Sequence, residues 1–166
     1  MQTLFYLSGV VAIVATFLMV TRLNAVHALM YLIVSLLAVA VVFYTLGAPF
    51  VAALEVIIYA GAIMVLFVFV VMMLNLGERA TAMERGWLTP GMWTGPSILA
   101  AILIAELAYL VVVARPAPGF PSVEPRQVGI ALFGPYLIGV ELASMLLLAG
   151  LVGAYHVGQE RKGSSE

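Results

Sequence analysis

The chain contains no cysteine and little charge. Seven Lys and Arg residues and eight Asp and Glu residues in 166 give a formal net charge of −1 at pH 7. The absence of cysteine excludes disulfides, thiolate-ligated iron–sulfur clusters and cysteine-based zinc sites, so any redox chemistry would take place in partner chains. The small, mixed charge offers no basic patch, which gives no support to a nucleic-acid-binding role.

Long apolar segments dominate the sequence, in which 64% of the residues are hydrophobic. Five segments are long enough to cross about 30 Å of hydrocarbon as helices. They run approximately over residues 3–21, 26–46, 51–74, 97–114 and 132–156, with a short C-terminal tail at 157–166. The sequence therefore predicts an all-α integral membrane protein in which residues 1–166 form a single membrane domain in the lipid bilayer.

The positive residues predict the orientation of the chain, because cytoplasmic loops carry an excess of Lys and Arg. One side would hold Arg22, Arg79, Arg85, Arg161 and Lys162, and the other Arg115 and Arg126. This distribution predicts an N-terminus outside, on the periplasmic side, and a cytoplasmic C-terminus. The positive flank of the first segment follows it, so we expect that segment to remain as an anchor and not to be a cleaved signal peptide.

The strongest functional candidate is a carboxyl inside the third predicted helix. Glu55 is the one acidic residue of this segment, and Tyr59 follows one turn later on the same helical face. A carboxyl in a membrane helix is costly and commonly marks an ion or proton path. We therefore expect Glu55 to relay protons along a polar track that includes Tyr59. The structural alternative is a neutral glutamic acid that hydrogen-bonds a neighbouring helix.

The stretch Ala60-Gly61-Ala62 is the weakest turn of the same helix. Glycine in a helix interior costs up to about 1 kcal/mol relative to alanine. The third helix can therefore distort here most easily, into a wider turn of π type, which would rotate residues 64–73 relative to Glu55. The alternative is that Gly61 only permits close packing.

Two further carboxyls lie well inside predicted helices. Glu141 stands among Gly139, Ala143 and Ser144, which predicts an interface with another protein and makes it the second candidate for a proton path. Glu106 ranks third, and we expect it to pair with a partner subunit.

Small residues recur every four positions in the first and fifth helices, a spacing that lets helix backbones approach closely. They are Ser8, Ala12 and Thr16 in one helix, and the pairs Gly139/Ala143 and Gly150/Ala154 in the other. The sequence leaves internal packing and docking to other subunits as alternatives. A purely structural assembly subunit would lose assembly when Gly139 or Gly150 became bulky, while polar changes in the third helix would do nothing.

The two histidines raise the alternative of a haem site. His27 and His156 both fall at the cytoplasmic ends of predicted helices. Histidine at such ends is commonly an interfacial residue, and we favour that interpretation over haem ligation.

Three parts of the sequence resemble subunit J of bacterial NADH:quinone oxidoreductase, respiratory complex I, a family whose mitochondrial counterpart is subunit 6. They are Ala25–Ala38, Ala53–Asn75, and Leu132–Tyr136 together with Glu141–Gly150. The resemblance is close over the first 77 residues and good in the fifth helix, and looser in the fourth helix and both long loops.

The resemblance implies a cofactor-free membrane subunit without an active site of its own, in the bacterial inner membrane. It implies partners on two sides, a quinone-binding subunit and antiporter-like subunits, with NADH, FMN, iron–sulfur clusters and quinone bound in partner chains. The rival from a related class is a small subunit of a multisubunit cation/proton antiporter, which would co-purify without an NADH-oxidising module.

The resemblance also implies a moving part in the third helix. In that family this helix is associated with a π-bulge that comes and goes with the state of the enzyme. Here it would fall on Tyr59, Ala60, Gly61, Ala62, Ile63, Met64 and Val65. By the same analogy Glu55 would join a chain of buried carboxyls between the quinone site and the proton channels. The hypothesis is that quinone reduction shifts this helix between straight and bulged forms and so gates a hydrated path.

Overall fold

The structure is a computed structural model that describes residues 1–22, 25–74, 90–112 and 122–160. All regular structure in these ranges is helical. In chain order the elements are α1 (Gln2–Thr21), α2 (Ala25–Thr45), α3 (Pro49–Leu54), a π-helix (Glu55–Ile63), α4 (Met64–Leu74), α5 (Pro90–Val112), α6 (Pro125–Leu132) and α7 (Leu137–Glu160).

Five helical spans in the described ranges are long and apolar enough to cross a membrane. They are Gln2–Thr21, Ala25–Thr45, Pro49–Val71, Trp93–Leu110 and Leu137–Gly158. The prediction of an all-α chain with five membrane helices is confirmed, and its orientation stays a prediction. Internal contacts group the chain into two units, Met1–Val123 and Glu124–Glu166, which are described one at a time. The prediction of a single membrane domain stays a prediction.

Helix α2 is the centre of the first unit, because it contacts α1, α5 and every segment of the third span. Its core forms where α1, α2 and α5 meet, and consists of Val11, Ala15, Val34, Ala38 and Leu103. Ala15 and Ala38 are fully buried. In lipid, helix association depends on close van der Waals packing, so two alanines at the contact let α1 and α2 approach each other closely.

Hydroxyl groups add polar contacts between α1 and α2. The Thr16 and Ser35 hydroxyl oxygens lie 2.7 Å apart, and they lie 2.8 and 3.2 Å from the Ala12 carbonyl oxygen. Ser8, one turn before Ala12, is fully buried. The small residues of the first helix therefore serve internal packing in this chain.

A glycine turn connects α2 to the third span. Gly47 adopts a φ of 83°, and the Ala48 N–H donates to the Phe43 carbonyl at 3.0 Å while the Gly47 N–H donates to Tyr44. This is a Schellman motif, in which a left-handed residue satisfies the last helical carbonyls. Pro49 then starts α3, where its missing N–H costs nothing.

Helix α5 begins earlier than predicted. It starts at Pro90, whereas the sequence predicted a start near Ser97, and it continues through Pro96. The prediction was wrong because it relied on Gly95-Pro96 as a start signal, since a proline suits the first turn of a helix, where its missing N–H has no partner. A proline inside a membrane helix removes one hydrogen bond, which packing against neighbouring helices can compensate, and Pro96 is buried.

Gly95 makes a close approach to Tyr31 of α2. A Cβ atom at Gly95 would collide with the Tyr31 hydroxyl and lie 3.1 Å from the ring carbon that bears it. Tyr31 is only 2% exposed, with the Arg22 guanidinium 5.5 Å from its ring centroid and the His27 ring 5.1 Å away. The tyrosine therefore has little room to move aside.

We expect Gly95→Ala to destabilise this unit by about 1–3 kcal/mol, the usual cost of overpacking a filled site. The measurement is the midpoint of thermal release of the subunit from the purified assembly. Tyr31→Phe removes the colliding oxygen, so the double variant should recover part of the loss in a double-mutant cycle. An unchanged midpoint in Gly95→Ala alone would show that Tyr31 moves freely.

The second unit contains α6 and α7, where one helix was predicted to start at Leu132. Helix α6 ends at Leu132 and α7 begins at Leu137. Pro135 explains the break, because its ring clashes with the carbonyl four residues earlier. That carbonyl, on Ala131, instead accepts a bond from the Tyr136 N–H at 3.1 Å.

Helix α6 itself was not predicted, although its N-terminus carries a recognisable signal. Glu124 and Gln127 form a capping box, in which the Glu124 N–H donates to Gln127 Oε1 at 3.2 Å. Reciprocal capping of this kind satisfies two backbone donors that a helix start leaves unpaired. The pattern Glu-Pro-Arg-Gln therefore marks this helix start in the sequence.

Candidate functional site

The third span changes from α-helical to π-helical geometry at Glu55 and returns to α-helical geometry at Met64. The π-helix is nine residues long and has α-helix on both sides. Each N–H in a π-helix bonds the carbonyl five residues earlier, and such turns are rare and often lie at functional sites. The distortion therefore marks one segment of an otherwise regular membrane helix.

Gly61 reduces crowding inside this segment. A Cβ atom at Gly61 would lie 3.1 Å from the Val56 carbonyl oxygen, which belongs to the residue five positions earlier. A spacing of five residues is also the one that backbone hydrogen bonds span in a π-helix. A side chain at position 61 would therefore be crowded against the backbone of the π-helix.

The π-helix and the predicted hinge overlap in part. Tyr59–Ile63 belong to both, and the π-helix starts earlier, at Glu55. Met64 and Val65, the last two residues of the predicted hinge, are α-helical. A single conformation shows where the wide turns lie, and the hinge as a moving part stays a prediction.

Glu55 and Tyr59 lie in the same π-helix with their side chains partly accessible. Glu55 is half-buried and Tyr59 is 50% exposed. Neither side chain has a hydrogen-bond partner among the described residues. The structure thus places the two groups of the expected polar track in one segment without a direct bond between them.

An apolar cavity of about 500 Å³ lies among α2, α5 and the first half of the third span. Its walls include Val34, Ala52, Val56, Leu103 and Leu107. Cavities with apolar walls stay dry, because a buried water needs two to four polar partners. The walls of this cavity therefore offer few polar partners to a water molecule.

Glu141, the second candidate carboxyl, lies in the second unit. It is exposed, like nearly all the described side chains of α7. The Ser144 hydroxyl donates a hydrogen bond to the backbone carbonyl of Glu141 at 2.7 Å, not to its carboxyl group. Its role in a proton path stays a prediction.

Glu106 has a partner inside the chain, where the sequence led us to expect one in another subunit. Its side chain is 4% exposed, and Glu106 Oε2 is hydrogen-bonded to the Ser8 hydroxyl with an oxygen–oxygen distance of 2.5 Å. The second oxygen, Oε1, has no hydrogen-bond partner in the described part of the chain. Sequence reasoning missed this pair because 98 positions separate the two residues.

The energetics of this pair are set by burial. Even after relaxation, burying an ionised carboxylate costs several kcal/mol, whereas a hydrogen bond to a charged group contributes roughly 1.5–3 kcal/mol. A single bond from Ser8 therefore does not offset the cost of a charge on Glu106.

The two histidines occupy different environments. His27 is buried, 7% exposed, and packs against Tyr31, while His156 lies exposed in the second unit. The haem alternative for these two residues stays untested.

Comparison with known proteins gives a consistent result. The family model for NADH-ubiquinone/plastoquinone oxidoreductase chain 6 matches residues 15–157. The chain belongs to this chain 6 family. It is 58% identical over 164 residues to NADH-quinone oxidoreductase subunit J of Pseudomonas aeruginosa, covering 96% of this chain and 98% of that protein.

Other relatives extend the match. The chain is 56% identical over 164 residues to subunit J of Escherichia coli K12, covering 98% of this chain and 89% of that protein. It is 47% identical over 163 residues to subunit J of Buchnera aphidicola, covering 98% of this chain and all of that protein. The predicted resemblance to subunit J is confirmed.

Membership of the chain 6 family makes this chain a multi-pass membrane subunit of NADH-quinone oxidoreductase, the respiratory complex I. It therefore works within a multisubunit enzyme. The matched range contains the whole π-helix, Glu106 and Glu141, and begins after Ser8.

Proposed function

We propose that this subunit couples quinone reduction to proton translocation, and that its π-helix gates a hydrated path past Glu55 and Tyr59. Electrons travel elsewhere in the complex, on NADH, FMN, iron–sulfur clusters and quinone held by partner subunits. This chain holds no cofactor and has no active site of its own. The observation that carries the proposal is a nine-residue π-helix that starts at the one carboxyl of the third span.

The geometry of a π-helix supplies the switch. Converting it to α-helix shortens each hydrogen-bonded loop by one residue, so the following helix turns by about one residue, roughly 100°. The side chains of α4 are mostly large and apolar, and Val65, Leu66 and Phe69 are each more than half exposed. Such a rotation would exchange the apolar groups beside Tyr59 and change whether water reaches Glu55.

The surroundings of Glu55 favour a path on the outer side of the third span. The cavity on the inner side, towards α2 and α5, is apolar and so unsuited to water. Glu55 and Tyr59 are partly accessible and lack partners within the described residues. Neighbouring subunits and the waters between them therefore supply the remaining polar groups of the path.

We place the subunit in the bacterial inner membrane, with the N-terminus periplasmic and the C-terminus cytoplasmic. The excess of positive residues on one side of the membrane supports this orientation. Its neighbours are the quinone-binding subunit on one side and the antiporter-like subunits on the other.

A purely structural role is favoured by one observation, the exposure of α7. None of its 22 candidate membrane-spanning residues is buried within its own unit. Gly139 and Gly150 have no atom near the position that a Cβ would take. A bulky residue there therefore meets no obstacle within its own unit, and lost assembly would report a contact outside that unit.

The direct test is a pair of structures of the intact complex, with and without a quinone-site inhibitor, that resolve backbone hydrogen bonds in residues 55–63. We expect five-residue hydrogen-bonded steps in one state and four-residue steps in the other, with ordered water at Glu55 in only one of them. The same π-helix and the same water in both states would favour the structural role.

A further inference from the structure

The apolar cavity among α2, α5 and the first half of the third span is long and narrow. Helix α5 and this half of the third span each pack mainly on α2, so the cavity opens between them. Its walls run from Val34 to Tyr44 on α2 and from Ala100 to Leu110 on α5. Because ten helical residues rise about 15 Å, the cavity runs for about that length along both helices.

One end of the cavity lies near a membrane surface. Tyr31 lies against Gly95, and the core joins later residues of α2 to later residues of α5, so these helices run in the same direction. Tyr44 and Leu110 are therefore at the same end, beside Pro49, which starts the third span. Tyrosine is enriched at membrane surfaces. Since the hydrocarbon core is about 30 Å thick, a cavity about 15 Å long that starts at its surface spans one leaflet.

The cavity is closed on one long side and open on the other. Val34, Ala40 and Leu103 form its closed side, and each is at most 6% exposed. Val56 and Ile104 lie at its rim, and they are 42% and 67% exposed. Both rim residues belong to spans that cross the membrane. The opening therefore lies at the depth of the lipid tails, so a tail can enter it sideways without leaving the bilayer.

We propose that this cavity binds one acyl chain of a phospholipid, from the leaflet at whose surface Tyr44 lies. Among the described residues that line the cavity, the Tyr44 hydroxyl is the one polar side-chain group. The methylene groups of the chain fill the apolar length, and the Tyr44 hydroxyl donates to the ester carbonyl that joins the chain to its headgroup. Dry apolar cavities in proteins bind apolar molecules in this way.

A single hydrocarbon chain fits this space better than a protein helix does. A helix with its side chains is about 10–12 Å wide, so a 15 Å length of it occupies roughly 1,200 Å³. The cavity holds about 500 Å³, which is less than half of that volume. Helices in lipid associate through van der Waals packing, and an empty cavity would leave its walls without such contacts. The bound chain supplies them and holds α5 beside the third span.

Photo-crosslinking in the intact complex tests the site. The complex is reconstituted in nanodiscs of phosphatidylethanolamine and phosphatidylglycerol with a trace of phosphatidylethanolamine that carries a diazirine, placed either near the ester or at the chain end. After irradiation, mass spectrometry of peptides should locate the near-ester adducts around Tyr44 and the chain-end adducts around Val34. The reverse order would overturn the proposal. Labelling confined to outward residues such as Phe17, which is 69% exposed, would also overturn it.

Two substitutions fill the cavity from different walls. Ala53→Phe on the third span and Ala100→Phe on α5 each add a ring at the wall of the cavity. Each should lower labelling of α2 by about fivefold or more, because the ring takes the space of the chain. Ala101→Phe is the matched control, since it adds the same ring at an exposed position of α5 and should leave labelling unchanged. Undiminished labelling in both filled variants would overturn the proposal.

A density map of the same complex in nanodiscs identifies the occupant. We expect one rod of density along α2 that joins a headgroup beside Tyr44, and loss of that rod in Ala100→Phe. Protein side chains in the cavity, from any chain, would overturn the proposal, and so would an isoprenoid tail that ends in a quinone ring. None of these results depends on whether residues 55–63 change conformation, so this proposal and the π-helix gate can fail separately.

Discussion

Replacing Glu55 by Gln lowers coupled proton translocation by about tenfold or more, while the complex still assembles. A positioned proton-transfer group typically contributes about 10²-fold or more to a rate, and a glutamine amide has the same shape without a proton to exchange near neutral pH. Glu55 is half-buried at the first position of the π-helix. The substitution therefore removes the exchangeable proton of the carboxyl group with little change in packing. The measurement is the number of protons moved per NADH oxidised in sealed vesicles.

Two controls separate a proton-path defect from a general one. Glu55→Asp keeps a carboxyl at the same backbone position and should retain most of the pumping. NADH oxidation with an artificial electron acceptor tests the partner subunits alone and should equal that of the wild type in both variants. Unchanged pumping in Glu55→Gln would remove Glu55 from the mechanism and leave a structural role for the third span.

The membrane spans are the part of the fold that the sequence predicts well, because each needs only length and apolar composition. The errors fall at prolines. Pro96 was interpreted as a helix start although α5 runs through it, and Pro135 interrupts a helix that was predicted to be continuous. A proline's effect depends on which carbonyl it faces and on what packs beside it, and neither can be read from the amino-acid sequence alone.

In the candidate site, too, the sequence predicts what depends on neighbouring residues and misses what depends on contacts between distant ones. Gly61 identifies the weak turn, since glycine's cost and freedom are local properties. The start of the π-helix at Glu55 has no such local signal, and α2 contacts the third span both before and after that residue. The Ser8–Glu106 pair is a contact between residues far apart in sequence, so the sequence could not identify the partner of Glu106.

The surface of α7 shows a different limit, because what covers it lies outside its own unit. Its apolar residues are exposed almost throughout, and Glu141 is among them. A membrane protein can leave such a surface to lipid, whereas a carboxyl in that surface is costly without a polar partner. Glu141 therefore needs a polar partner that the described residues of its own unit do not supply.

Replacing Gly61 by Val should hold the third span in α-helical form and lower pumping about as much as Glu55→Gln. The new Cβ would lie 3.1 Å from the Val56 carbonyl oxygen in the π-helix, and β-branching restricts how the added methyl groups can turn away. Loss of the five-residue step relieves this contact, so the substitution penalises the π-helix more than the α-helix. The measurements are the backbone bonding of residues 55–63 in the variant complex and protons translocated per NADH.

Gly9→Val is the matched control, because it adds the same side chain to a glycine of α1 with no atom within 4 Å of the new Cβ. It should pump normally, and Gly61→Ala, with one methyl group, should fall between Gly61→Val and the wild type. A retained π-helix with normal pumping in Gly61→Val would mean that Gly61 serves close packing alone. An α-helical third span with normal pumping would instead mean that the π-helix forms without acting as the gate, because the conformation would then have changed while the coupling had not.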